Sequence, residues 1–248
     1  MPAPTAAQLI ALWDRSQRSA HRRLEPLLSV MEPGAVLGDD TLGRRNQRLL
    51  ALHAALSEAP LDARLHCSAC RTDNEFAVPA AAILGCPAPG AAARVAIRSG
   101  RRRLTFRLPL MSDIHGAKGR SEAEILAQIA SRCRLDADGG EPVPATVLAQ
   151  LAARFDEIDP AASIVVDLSC AECGAALRAS VDVAEFVATR IDAIADRLLR
   201  QIDVIAGAYG WSEDAILALP PARRTQYVEM IAARAPATRT RAPLAMPA

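Results

Sequence analysis

Two Cys-x-x-Cys pairs are the residues whose type and spacing point most directly to chemistry. The first pair is Cys67 and Cys70, and the second is Cys170 and Cys173. Two intervening residues let the chain turn so that both sulfurs of a pair face one ion, and four thiolates commonly bind one tetrahedral Zn²⁺. A shared ion would join the first third of the chain to the last third. We therefore predict a structural zinc site with all four positions filled by protein and none open for catalysis.

A redox dithiol is the main alternative for these cysteines, because Cys-x-x-Cys is also the motif of thiol oxidoreductases. One pair would be enough for that chemistry, and neither pair precedes a thioredoxin-like βαβ unit. Vestigial cysteines without metal are a further alternative. The pattern favours the metal site over both.

The remaining cysteines and the histidines lack ligand spacing. Cys133 continues an apolar stripe with Ile125 and Ile129, so we predict a buried, inert thiol. Cys86 lies in a loop and could replace a ligand, although the paired cysteines fit better. His66 precedes Cys67, and we predict that its side chain lies at the surface.

Bulk properties limit the classes of function. The chain has 248 residues, a net charge of +1, a pI near 7.7 and 3% aromatic residues. This charge gives no global basic field for nucleic acid. Residues 1–17 lack the pattern of a signal peptide, and no run approaches the roughly 18 apolar residues of a membrane span. We expect a cytoplasmic protein with reduced thiols.

The elements that must position the cysteines indicate an α+β fold. Apolar periodicity predicts a helical segment over 1–60, in which Thr5 caps a first helix that Pro26 bends or ends. A β-rich, zinc-ribbon-like region with a helical insertion follows over 61–182. The C-terminal segment 183–233 is again helical, and we predict that the Ala-, Pro-, Thr- and Arg-rich tail 234–248 is disordered.

A weak internal repeat supports the shared site. Each copy reads as strand, Cys-x-x-Cys turn, strand and helix start, and two such knuckles facing each other form a zinc ribbon. Alternating apolar residues over Ala93–Leu108 predict a hairpin within the insertion. Arg101, Arg102 and Arg103 at its turn are interpreted as a solvated turn or as a contact with an acidic partner protein.

The C-terminal segment combines a long apolar seam with the scarce aromatic residues. From about Val183 to Ala206, apolar residues recur in alternating steps of four and three, as in helix bundles. Two explanations remain open for Trp211 behind this helix: a local hydrophobic staple or a docking surface for a protein. The docking hypothesis assigns partner binding to these residues: Tyr209, Trp211, Arg223, Arg224 and Tyr227.

Part of the sequence resembles a known family. Residues 206–220 (AGAYGWSEDAILALP), continued by Arg223, Arg224, Tyr227 and Ile231, resemble the C-terminal signature of the baseplate and baseplate-hub assembly chaperone group of contractile phage tails and contractile injection systems. Segments 42–46 (LGRRN) and 106–109 (FRLP) and both knuckles fit the same resemblance, which covers most of 9–232 in patches.

The resemblance implies a non-enzymatic role in building a tail baseplate, with baseplate or hub subunits as partners and possible incorporation into the particle. Two other functions stay open from the residues. A zinc-ribbon regulator would bind nucleic acid through Arg101–Arg103 in a salt-sensitive manner, against which the near-neutral charge argues. A thiol oxidoreductase would need an exposed, low-pKa Cys67 or Cys170.

Overall fold

Helices and short antiparallel hairpins alternate along the chain. The computed structural model describes residues 4–15, 20–57, 61–78, 80–90, 92–119, 121–136 and 143–234. The helices are α1 (Ala6–Arg15), α2 (Ala20–Met31), α3 (Leu42–Leu56), α4 (Ala80–Leu84), α5 (Met111–Gly116), α6 (Glu122–Cys133), α7 (Ala145–Ile158), α8 (Val183–Tyr209), α9 (Glu213–Leu217) and α10 (Pro221–Arg234). The strands are β1 (Asp62–His66), β2 (Asp73–Ala77), β3 (Arg94–Ser99), β4 (Arg102–Arg107), β5 (Val165–Ser169) and β6 (Ala176–Ser180). The predicted mixture of helices and small antiparallel sheets is confirmed.

Side-chain caps begin several of the helices. The hydroxyl of Thr41 accepts from the backbone N–H of Arg44 at the start of α3. Ser121 and Ser212 cap α6 and α9 in the same way. Each cap satisfies an N–H group that the first helical turn leaves without an intrahelical partner.

Helices α1 and α2 lie where one N-terminal helix was predicted, and residues 16–19 between them lie outside the described residues. Pro26 does not end a helix, since it lies inside α2, which continues to Met31. Leu27, Leu28 and Met31 beyond it are buried. Burial of this apolar side offsets the hydrogen bond that proline removes. The short helix α4 lies where the internal repeat predicted a helix start, and α5 lies in a segment for which no element was predicted.

The described chain forms two compact units. The first consists mainly of Ser16–Arg190, and the second of Thr5–Arg15 and Ile191–Ala248. The predicted tail lies almost entirely outside the described residues. The predicted seam of α8 is buried at most of its positions, which are Val187, Ile191, Ile194, Leu198 and Ile205.

The β3–β4 hairpin lies on an apolar cluster of the first unit. One face of the hairpin buries Val95, Ile97, Leu104 and Phe106 against α6 and α7, which contribute Ala130, Cys133, Val147 and Leu151. At the end of β4, the Arg107 guanidinium donates to both carboxylate oxygens of Asp113, at 2.5 and 2.9 Å. Such a bidentate, charge-assisted pair is stronger than a neutral hydrogen bond, and Arg107 also donates to Cys133 Sγ of the cluster at 3.8 Å.

A close backbone approach joins α3 to the chain after α7. The buried carboxylate of Asp159 accepts from the N–H of Gly43 at 3.0 Å. A Cβ atom at position 43 would lie 1.9 Å from that carboxylate, so only glycine fits. The negative charge also lies at the positive end of the α3 dipole.

In the second unit, α1 packs against α9. Leu9 and Ile10 of α1 are buried, as are Ile205 of α8 and Ile216 of α9. Over the residues described, no helix has the length and apolar character needed to cross a membrane.

Candidate metal centre

The four paired cysteines converge on one point of the first unit. Their sulfur atoms all lie within 4.8 Å of one another. Cys67 Sγ lies 3.7 Å from Cys173 Sγ, and Cys70 Sγ lies 3.6 Å from Cys170 Sγ. All four are free thiols, and these separations far exceed the roughly 2.05 Å of a disulfide. Both of these contacts join cysteines from opposite pairs.

The spacing of the sulfurs fits a tetrahedral ion. A regular tetrahedron with metal–sulfur bonds of about 2.3 Å has edges of about 3.8 Å, which matches the two close contacts. Cys67 and Cys170 are buried, whereas Cys70 and Cys173 lie on the exposed side. The group could hold a metal ion, and its chemistry is compatible with zinc.

The two knuckles have the same backbone geometry. In the first, Cys67 N–H donates to the carbonyl of Thr72, and Arg71 N–H donates to the carbonyl of Cys67. In the second, Cys170 and Gly174 make the equivalent bonds, to the carbonyls of Ala175 and Cys170 respectively. The predicted repeat is therefore present in the backbone as well as in the residue pattern.

One position of the knuckle requires the left-handed backbone conformation. Gly174 has φ +72° and Arg71, its counterpart, has φ +64°. Glycine adopts this conformation freely, whereas a side chain there costs about 1 kcal/mol or more. Arg71, which departs from the usual knuckle pattern, thus keeps the turn at an energetic cost.

Asn74 is a residue of the site that sequence reasoning missed. Its side chain is buried in β2, where its amide nitrogen lies 3.6 Å from Cys170 Sγ. Its carbonyl oxygen accepts from Ala171 N–H at 2.9 Å. Asn74 thus links the first hairpin to the second knuckle. The available signal was an asparagine within a strand, where this residue is uncommon.

Few apolar side chains support the cysteines. The buried members of the cluster are Cys67, Cys170 and Leu177, with Leu65, Leu168 and Ala175 half-buried against them. So small a cluster removes little apolar area from water. We therefore expect a bridge between the sulfur atoms to contribute much of the stability of the two hairpins.

The cluster cannot carry four negative charges by itself. The N–H of Cys173 and further hydrogen bonds outweigh burial and lower the pKa of Cys170 to about 6. At Cys173 the N–H of Ala175 acts in the same direction, but the neighbouring sulfurs of Cys70 and Cys67 prevail and raise the pKa to about 12. Ionising all four thiols at such distances requires a nearby cation.

The other cysteines and His66 lie apart from this group. Cys133 is fully buried, and burial raises the pKa of its thiol to about 12, as expected for an inert thiol. Cys86 is half-buried, and its thiol donates to the carbonyl of Ala82. His66 is exposed and pairs with Asp73 across the hairpin. The surface position predicted for His66 is confirmed.

The aromatic residues assigned to partner binding form one cluster in the second unit. The rings of Tyr209 and Trp211 stack at 5.1 Å, and Tyr227 meets Trp211 edge-on at 5.2 Å. The Arg234 guanidinium lies 5.9 Å from the centre of the Tyr209 ring. Trp211 remains 37% exposed. The three rings therefore pack against one another and still leave Trp211 exposed to solvent.

The two arginines of the docking hypothesis lie in different environments. Arg223 is exposed, as a docking contact requires. Arg224 departs from that hypothesis, because it is 4% exposed. Its guanidinium donates to the Gln201 side chain and to the carbonyls of Leu217 and Leu219. Arg224 therefore joins α8, α9 and α10 and supports the aromatic cluster from inside.

Comparison with known proteins finds no matching protein family, no matching characterised protein and no matching solved structure.

Proposed function

We propose that this protein is a non-enzymatic assembly factor or minor baseplate component of a contractile tail-like particle. In this proposal a structural Zn²⁺ clamps two hairpins, and an aromatic surface binds a baseplate or hub subunit. The observation that carries the non-enzymatic role is the closed group of four sulfurs, since a catalytic zinc site keeps one position for water or substrate.

Zinc would make the two knuckle hairpins into a zinc-ribbon-like core. Cys67, Cys70, Cys170 and Cys173 would hold the ion, and Asn74 would orient Cys170 from outside the ligand set. Bound zinc neutralises the thiolates and contributes free energy of folding. The metal would thus position two distant parts of the chain without taking part in a reaction.

The aromatic cluster has the composition of a binding hot spot. Trp, Tyr and Arg dominate such sites, where rigid rings bury large areas at low entropic cost. Tyr209, Trp211 and Tyr227 hold one another in place before a partner arrives. Exposed Arg223 lies on the same helix as Tyr227 and would supply a polar contact at the rim.

The assignment to a contractile tail rests on the resemblance of residues 206–231 to the baseplate chaperone group. This resemblance includes the aromatic residues and both arginines. The buried contacts of Arg224 give its place in that pattern a structural reason, because the residue holds the helices that carry the rings.

The metal is tested on the full-length chain purified without chelator. We expect one zinc per chain by elemental analysis, thiols that react slowly with a thiol reagent, and loss of the metal in Cys173→Ser. Cys86→Ser is the matched control, since this thiol lies outside the group. A metal-free protein that turns over a dithiol substrate would instead identify a thiol oxidoreductase.

Partner binding is tested by co-expression with baseplate and hub subunits from the same source genome. We expect the chain to co-purify with one of them and Trp211→Ala/Tyr227→Ala to lose it. Leu199→Ala is the control, because Leu199 is an exposed apolar residue of α8 outside the cluster. Retention of every partner by the double variant would refute the aromatic docking site.

A further inference from the structure

The positive charge of the chain is strongly concentrated around the β3–β4 hairpin. Residues 76–112 contain six arginines and no acidic residue, although the whole chain has a net charge of only +1. Arg107 is paired with Asp113. The other five arginines are exposed, and they are Arg94, Arg98, Arg101, Arg102 and Arg103.

The other two hairpins place opposite charges across their strands. In β1–β2, Arg64 faces Glu75 and the side chains lie 2.6 Å apart. In β5–β6, Asp167 faces Arg178 at 3.7 Å. Opposite charges in such positions stabilise a hairpin slightly, whereas like charges destabilise it.

The β3–β4 hairpin breaks this pattern. Arg98 lies directly opposite Arg103. Within the described part of the chain, no ion pair joins either arginine to an acidic side chain. No carboxylate of the described residues therefore offsets the repulsion between them, and a carboxylate placed between the two guanidinium groups would do so.

The outer edge of β3 is also open to another strand. On the opposite edge of the hairpin, the backbone carbonyl of Thr105 accepts from Leu135 N–H, and the backbone N–H of Thr105 donates to the Asp136 carboxylate. Both backbone groups of Thr105 therefore point away from β3. Ala96 is the Cα partner of Thr105. Ala96 and Thr105 therefore form a non-hydrogen-bonded antiparallel pair, in which the backbone N–H and carbonyl of both residues point away from the partner strand. The N–H and carbonyl of Ala96 thus face the outer edge of β3. No other described strand pairs with β3.

The β4 edge shows what such an edge binds. There the chain supplies its own extended segment. Arg134 of this segment forms an antiparallel β-bridge with Phe106, and the Asp136 carboxylate accepts from the backbone N–H of Thr105. From the open edge and the excess arginines we infer that β3 is a docking site for an extended acidic segment of a partner protein, which adds to the hairpin as a third strand. Backbone bonds at Ala96 align this segment, and Arg98 and Arg103 bind its carboxylates.

The β3 docking site uses neither the metal nor the aromatic cluster. This inference and the proposed function can therefore each fail without the other. The probe is a short labelled peptide of alternating Thr and Glu, measured by fluorescence anisotropy on the full chain at low and high salt. A Thr–Gln peptide, a DNA duplex and a single-stranded RNA are the comparison probes. We expect the acidic peptide to bind, with an affinity that falls as salt rises.

Two variants test the two parts of the site. Arg98→Ala/Arg103→Ala should lower the affinity for the acidic peptide by about tenfold or more, because two charge-assisted contacts are lost. Arg64→Ala/Arg178→Ala removes the same charge from the other hairpins and should leave binding unchanged. Ala96→Pro keeps every charge but removes the outward N–H, so it should also weaken binding. Proline is tolerated on an edge strand, so the variant should still fold.

Several results would overturn the inference. They are absence of peptide binding, equal binding of the Thr–Gln peptide, tighter binding of either nucleic acid, or equal loss in the control variant. Full binding by Ala96→Pro would exclude strand addition. Self-association of the chain that depends on Arg98 and Arg103 would assign the edge to a second copy instead.

Discussion

The knuckle hairpins and the β3–β4 hairpin have similar size and the same antiparallel pairing, yet different forces hold them. The knuckle hairpins β1–β2 and β5–β6 surround sulfur atoms and bury few apolar side chains, among them Leu177 and Ala179 of β6. The β3–β4 hairpin buries a complete apolar face, with Phe106 fully enclosed. If the proposed zinc is bound, similar strands depend on a metal in one place and on the hydrophobic effect in another.

The exposed charges of the hairpins are better paired in the knuckle hairpins than in the β3–β4 hairpin. The knuckle hairpins satisfy their exposed charges internally, through pairs such as Arg64 with Glu75. The β3–β4 hairpin has the stronger core but leaves Arg98 and Arg103 facing each other. A region with ample apolar burial can tolerate unfavourable surface charge, and this tolerance leaves the surface available for binding.

Loss of the metal should produce the largest difference between the two regions. Cys67→Ser removes a ligand, and the free energy contributed by a structural zinc is on the order of 10 kcal/mol. We expect Leu65 in β1 and Leu168 in β5 to lose protection from hydrogen exchange, while Ile97 in β3 keeps it. Equal loss in all three hairpins would show that the metal stabilises the whole first unit.

Truncation of the enclosed ring should do the reverse. Phe106→Ala leaves a cavity in the apolar cluster and should lower the free energy of unfolding by about 3–5 kcal/mol, without loss of zinc. Urea denaturation and elemental analysis measure the two quantities. Val165→Ala, at a 38% exposed position of β5, is the control and should change stability by less than about 1 kcal/mol.

The ion pair at the end of β4 should have an intermediate effect that depends on pH. Asp113→Asn leaves the Arg107 guanidinium without its carboxylate and should cost about 2–3 kcal/mol near neutral pH. Burial alone would raise the pKa of Asp113, but hydrogen bonds from Arg107 and from Leu110 N–H prevail and lower it.

A carboxylate with a lowered pKa in the folded state stabilises the protein above its unfolded pKa, which is near 4. That contribution disappears as pH falls through the folded-state pKa. Denaturation at a series of pH values should therefore show a steeper acid loss for the wild type than for Asp113→Asn. Parallel curves would mean that the pair contributes nothing to folding.

Reversal of one surface charge should give the smallest effect. Arg103→Glu creates an opposite-charge pair with Arg98 and should stabilise the hairpin by about 0.5 kcal/mol. Glu75→Arg makes the converse change in β1–β2, where it opposes Arg64, and should destabilise by a similar amount. A loss of stability in both variants would show that cross-strand charge does not distinguish the hairpins.

Local elements followed closely from residue pattern. The hairpins and the long seam of α8 depend on interactions between residues near one another in the sequence, which hydrophobic periodicity reveals. Of the two effects predicted for Pro26, only the end of the helix is contradicted, because α2 continues beyond it and buries the side chains that follow.

The sequence alone determined which residues could bind a metal, since the Cys-x-x-Cys spacing itself sets how two sulfurs of one knuckle turn toward a common point. Only the tertiary structure decided that the two knuckles meet, that Asn74 bridges them and that Arg224 is buried. These outcomes depend on the packing of residues far apart in the chain, and such packing leaves little trace in local pattern. The open edge beside Arg98 likewise became visible only when the strand register was known.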